Sequence, residues 1–178
     1  MAPEMLAPHS ADPRTDPPPC GSERETLTGF LRYQRHTLEL KCAGLPPAAL
    51  GARAVPPSGL SLLGLVRHLS DVERFWVRSS LAGHRAPPLY WRADGADTDF
   101  DFPEPDARIV QQSFAAWKNE TAFSDAVLGD GPLERSVAAG RHGTVSVRWI
   151  LTHLIEEYSR HNGHADLLRE CIDGQVGE

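Results

Sequence analysis

No stretch of this chain approaches the ~20 consecutive apolar residues that a membrane-spanning helix needs. Its first residues, MAPEMLAPHSADPRTDPPPC, lack a basic segment followed by an apolar one and so do not read as a secretory leader. Cysteine is scarce: Cys20, Cys42 and Cys171 are odd in number and have no CxxC spacing, which points to a reduced, cytoplasmic protein. Lysine is nearly missing, with Lys41 and Lys118 set against sixteen arginines. That bias reflects a GC-rich coding sequence rather than a physical demand. The net charge of -6 and pI near 5.7, with no Lys/Arg-rich run, argue against nucleic-acid binding. There is no GxGxxG, Walker or nucleophile-elbow sequence. No segment sustains an alternation of period two, and there is no internal repeat.

What is present is helical periodicity. The length of 178 residues suits one domain with a full core. Residues 1–21, rich in proline, alanine and charge, hold too little apolar surface to offset ordering and are expected to form a disordered arm. Residues 22–178 form the domain. Ser22-x-x-Glu25 is a capping box that opens a first helix, with Leu27, Leu31 and Leu38 on its core face and Phe30 alongside, to about Gly44. Four prolines between Leu45 and Gly59 mark a connection. Ser58 or Ser61 caps a second helix to about Gly83, whose stripe runs Leu65, His68, Val72, Phe75, with Leu69 and Trp76 beside it.

A loop follows over His84 to Asp101. Asp97-x-Asp99-x-Asp101 imitates the start of a calcium loop, but Phe102 and Arg108 stand where glycine and glutamate are required, which excludes calcium there. The third helix carries Val110, Phe114 and Trp117 on its core stripe and ends near Gly129 to Pro132. After a glycine-containing connection, the fourth begins at Thr144 or Ser146. Four amphipathic helices with long connections describe an all-α four-helix bundle, with either crossover topology or loops that cover a site.

The fourth helix carries the chemistry. Ile150, Leu154 and Leu168 share a stripe with Glu157, His161 and His164, so a carboxylate and an imidazole enter the core side one turn apart. That pair suits a divalent metal; a buried Glu–His pair or a wet polar groove is the alternative. His68 is ordinarily a satisfied core histidine, and becomes a third ligand if its stripe faces that of Glu157 and His161. His153 and His164, one turn to either side, are candidates to hold a ligand by hydrogen bonding or to shuttle a proton; for His153 a helix-surface histidine is the plainer reading. His153-x-x-Glu156-Glu157 nearly matches an inverted zinc-protease motif, but Glu157 stands where its second histidine belongs, which excludes a peptidase. Asp71 and Arg160 fall on polar faces, where surface ion pairs are expected. Trp91 and the acidic loop are positioned to line a pocket.

His68, Glu157 and His161 on the second and fourth helices resemble the DinB-like superfamily. The resemblance rests on GLSLLGLVRHLSDVERFW and VSVRWILTHLIEEYSRHNGHADLLRECIDG and, with helix order, spans roughly Ser22 to Gly174. Many members carry a histidine on helix two and HxxxH on helix four and bind zinc or nickel. Here Glu157 replaces the first of those histidines, as in thiol-dependent members such as mycothiol-dependent S-transferases and maleylpyruvate isomerase. The resemblance implies a bound divalent metal at His68, Glu157 and His161, with zinc, nickel, iron or cobalt all suited to the donors. It further implies a transferase that uses a low-molecular-weight thiol, mycothiol, against a small-molecule electrophile. A metal-hydroxide hydrolase and a non-catalytic metal-binding bundle are the alternatives. A monomer or homodimer is expected.

Overall fold

A computed structural model describes residues 12–90 and 98–177. The expected helices form, each started by the side chain the sequence supplies. Ser22 and Glu25 complete their capping box at the start of α1 (Glu23–Cys42). Of the two candidate serines, Ser61 caps α3 (Leu62–Glu73) by accepting from Gly64 N at 3.2 Å. Asp106 caps α4 (Ala107–Leu128), and Ser146 caps α5 (Val147–Asp173). Gly174, with φ of 80°, ends α5 in the left-handed conformation that only glycine adopts at little strain.

Three local features differ from the sequence reading. The proline-rich connection contains a short helix, α2 (Pro47–Leu50). The glycine-containing link forms an antiparallel hairpin of β1 (Ser136–Ala138) and β2 (Thr144–Ser146), pairing Val137 with Val145 across a 3-10 turn. Strands of three residues are too short to declare a period of two. The third difference changes a face. After Glu73 the second helix continues in π form over Arg74–Leu81, with Ala82 N bonding Val77 O. More residues per turn shift the stripe, so Trp76, Val77 and Leu81 enter the core while Phe75 is 45% exposed.

In the bundle α1 packs chiefly along α5, and α3 along α4 and α5. Leu31 and Leu38, Leu65 and Leu69, Val110 and Trp117, and Ile150, Leu154 and Leu168 meet in one core as expected. Phe30, expected beside the first stripe, is half-exposed, and Arg35 is buried in α1 instead. Arg35 donates to Glu73 through Nε at 2.8 Å and to Asp125 at 2.6 Å. Tyr158 donates to the same Glu73 oxygen at 3.1 Å and accepts from Trp117 Nε1 at 2.8 Å. One polar chain therefore ties all four long helices together where each is closed to solvent.

The expectation of a disordered arm over residues 1–21 lies outside the described residues as far as residue 11. Residues 12–21 run without helix or strand beside α1. Arg14 stacks over the Tyr33 ring, and a Cβ at Gly29 would meet Pro18 at 3.0 Å. No helix among the described residues is long and apolar enough to cross a membrane.

Candidate functional site

α3 presents His68 toward α5, and α5 answers with Glu157 and His161 one turn apart. His68 Nε2 lies 3.7 Å and His161 Nε2 3.3 Å from the same oxygen, Glu157 Oε2. The rings of His68 and His161 stand edge to face at 4.8 Å. One ligand atom from each of these three residues falls within 4.8 Å of the others. The condition set by the sequence, that the His68 stripe face the Glu157 and His161 stripe, is met. All three are half-buried rather than core residues, so each keeps part of its side chain open to solvent.

A fourth residue completes the arrangement. Asp99, buried and 31 positions along the chain from His68, accepts a 2.9 Å hydrogen bond from His68 Nδ1. With one proton held on Nδ1, Nε2 is the nitrogen turned toward Glu157, and it is the atom that would bind a metal once the ion displaced its own proton. The sequence reading considered Asp99 only as a calcium ligand. The available signal was the pair of aromatics that follow it, Phe100 and Phe102, both packed on the core.

The described parts of the connection, residues 82–90 and 98–106, are held against α3 around His68. Arg67 Nε and Nη2 donate to the carbonyls of Asp99 and Thr98, each at 3.0 Å, while its guanidinium stacks on Tyr90 and Phe102. Asp71, expected to make a surface ion pair, is buried and accepts from Leu89 N and Tyr90 N at 2.7 and 3.0 Å. Carboxylates prefer two fixed backbone donors to one mobile side chain when the fold brings a loop over them. Gly64, one turn before His68, allows the loop to seat: a Cβ there would lie 2.1 Å from Phe100 Cδ1, and the Phe100 ring stacks on His68. Glycine inside a helix is the sequence signal for such an approach. Trp91 and Asp97 lie outside the described residues.

The remaining candidates flank the triad. His153 Nδ1 faces Glu156 at 3.2 Å and its Nε2 faces Glu157 Oε1 at 3.5 Å. His164 Nδ1 lies 3.3 Å from His161 Nδ1. Arg160 turns outward and pairs with Glu156 across one helical turn, as expected of a surface ion pair.

The electrostatics favour a cation. Burial works against charging His68, but hydrogen bonds to Asp99 and Glu157 outweigh it and raise its pKa to about 9. Hydrogen bonds from His161 and His68 hold Glu157 well below the usual carboxylate range. Burial, followed by the neighbouring His161 charge, lowers His164. Among the described residues only imidazoles, and no lysine or arginine, form ion pairs with Glu157. Two imidazoles and one carboxylate, with a second carboxylate behind one imidazole, fit zinc or a neighbouring transition ion. Around a tetrahedral ion at ~2.0–2.2 Å, donor atoms stand about 3.4 Å apart, close to the two separations at Glu157 Oε2.

No curated protein matches the chain by sequence. The family model for mycothiol-S-transferase matches residues 26–174, covering all of the bundle from the first turn of α1 to the cap of α5. That span contains His68, Asp99, Glu157 and His161, and the chain belongs to the mycothiol S-transferase family of DinB-like proteins.

Proposed function

We propose that the protein transfers mycothiol, or a closely related low-molecular-weight thiol, to a small electrophile at a divalent metal held by His68, Glu157 and His161. Zinc is the first choice for this donor set, with nickel, iron and cobalt also suited. The observation that carries the reading is the convergence of these three side chains, with Asp99 orienting His68 and, among the described residues, no lysine or arginine pairing with Glu157. Three protein ligands leave a tetrahedral ion one open position. When bound, the ion ionises a coordinated thiol that would otherwise be only a few per cent thiolate at pH 7.

The chain's own groups hold and move protons around that position. Asp99 keeps the His68 proton on Nδ1, and His164 is placed to do the same for His161 Nδ1. His153 Nε2, 3.5 Å from Glu157 Oε1, is placed to accept the thiol proton. The S–H bond breaks, the sulfur pair forms the carbon–sulfur bond, and the leaving group takes its bonding pair and then the proton. For an electrophile that adds without a leaving group, the proton ends on carbon. A cellular thiol as cosubstrate places the enzyme in the cytoplasm.

Cobalt-substituted protein tests the reading. Adding mycothiol should create a sulfur-to-cobalt charge-transfer band, absent in Glu157→Gln, and turnover should require the thiol. Full-rate turnover without any thiol would replace this reading by a hydrolase that uses metal-bound hydroxide.

A further inference from the structure

The stripe that carries the triad continues along α5 toward the hairpin as aromatic rings. His153 stands one turn before Glu157, and Trp149 one turn before His153. Trp149 stacks on His153 with ring centroids 4.9 Å apart and planes 19° from parallel. From the π segment, Trp76 packs against Trp149 at 5.0 Å and edge-on to His153 at 4.9 Å. Phe75 stands edge-on to Trp76 at 5.0 Å. Trp76 is buried, but Trp149 is 39% and Phe75 45% exposed. His153 Nε2 touches the triad through Glu157 Oε1, so the rings and the ligands form one continuous surface. At 1.5 Å per residue, the eight residues from Trp149 to Glu157 span about 12 Å along the helix.

Arginine covers ring faces elsewhere. Arg14 lies over Tyr33, Arg67 over Tyr90 and Phe102, and Arg78 over Phe123, at 3.8 to 5.3 Å. Among the described residues, no arginine stacking falls on the Trp149, Trp76, Phe75 and His153 cluster. His142 packs on Trp76 at 5.1 Å and lies 6.0 Å from Trp149, so the ring surface left exposed beside the triad belongs to Trp149 and Phe75.

We propose that this cluster is the platform on which the electrophile lies, and that the preferred electrophile is a planar, conjugated ring system without positive charge. The proposal rests on the thiol-transfer reading for the identity of the ligand as electrophile, not for its binding. Exposed ring surface rewards offset or edge-on stacking by another flat π system and offers little to a saturated or strongly hydrated group. A cationic ligand would satisfy the rings but be repelled by the ion and imidazoles a turn away. A ring lying on the exposed surface of Trp149 is about 12 Å from Glu157 along the helix, so its substituents point toward a sulfur held at the triad, which is the gain from positioning.

Isothermal titration of metal-free, thiol-free protein with 2-naphthamide and with its fully saturated decalin counterpart tests the platform. Wild type should bind the planar probe about tenfold or more tighter than the saturated one. Trp149→Ala should lose about tenfold in affinity for the planar probe while Trp149→Phe keeps most of it. Both variants should take up metal as wild type does. Equal affinity for the two probes, absence of saturable binding, or an unchanged affinity in Trp149→Ala would overturn the proposal. The comparison of probes on wild type needs no variant to fold. Because neither ion nor thiol is in the cell, failure here leaves the thiol-transfer reading standing. Loss of thiol dependence in turnover would leave the platform standing.

Discussion

Two carboxylates, Glu73 on α3 and Glu157 on α5, face the space between the same helices and meet opposite fates. Glu73 is fully buried and is neutralised from inside the chain by Arg35, with Tyr158 donating to the same oxygen. Glu157 is half-buried and meets three imidazoles, each able to give up its proton. A permanently charged guanidinium makes a closed, structural centre; imidazoles leave the compensation to whatever ion arrives. Burial tells the same story, since a group that must exchange ligands cannot be sealed. The bundle therefore closes one centre to hold its helices and leaves the other exposed to solvent.

Breaking the closed centre should produce the largest effect on folding. Arg35→Met leaves Glu73 charged and uncompensated in the interior, and should lower unfolding free energy by about 3–5 kcal/mol in urea titrations. Adding Glu73→Leu should restore most of it, because two well-packed apolar residues replace a costly ion pair. If Arg35→Met is as stable as wild type, the two centres do not differ in the way described.

The open centre should respond in the opposite sense. Glu157→Gln keeps the volume and removes the anionic donor, so metal affinity should fall by about 100-fold or more while the urea midpoint barely moves. Asp99→Asn should lose about 10–100-fold in metal affinity, because His68 loses its orienting partner but remains present. Competition titrations with a chromophoric chelator would rank the variants. Equal affinities for Asp99→Asn and wild type would reduce Asp99 to a loop anchor.

Cys42 provides a reporter that separates the two centres. Burial pushes its thiol up to about 12, so the reactive thiolate is absent from the folded protein at pH 8. The exposed Cys20 and Cys171 should label at once, and Cys42 only on unfolding. Arg35→Met should speed Cys42 labelling and Glu157→Gln should not. The sign with pH follows from the same shift. Above about 8.5 the unfolded thiol has lost a proton that the folded one keeps, so its contribution to stability falls as pH rises toward 12. The smallest effect should come from deleting residues 1–21, which spares Ser22 and its cap and gives up contacts at Tyr33 and Gly29. A large drop in melting temperature would show that the arm belongs to the bundle.

The helices, the serine caps and the Glu157–His161 pair were legible in the sequence because they depend on neighbours three or four residues away. Leu31, Val110, Ile150 and Leu168 recur at helical spacing, Ser22 finds Glu25, and Glu157 shares a face with His161 by helix geometry alone. The DinB-like resemblance then joined His68 to that pair across the chain.

Tertiary structure alone decided the rest. Asp99 reaches His68 only after Phe100 seats against Gly64 and Arg67 grips two loop carbonyls. Nothing in spacing links residues 31 positions apart through a loop without period. Arg35 is buried because Glu73, Tyr158 and Asp125 meet it from the other three long helices, and helical spacing marks none of those partners. Phe75 changed faces because the helix changed its hydrogen-bond register after Glu73, which α-helical spacing cannot foresee. Local patterns are set by the chain's own geometry, whereas long-range partners are set by which helices pack together, and that choice is made only when the whole core closes.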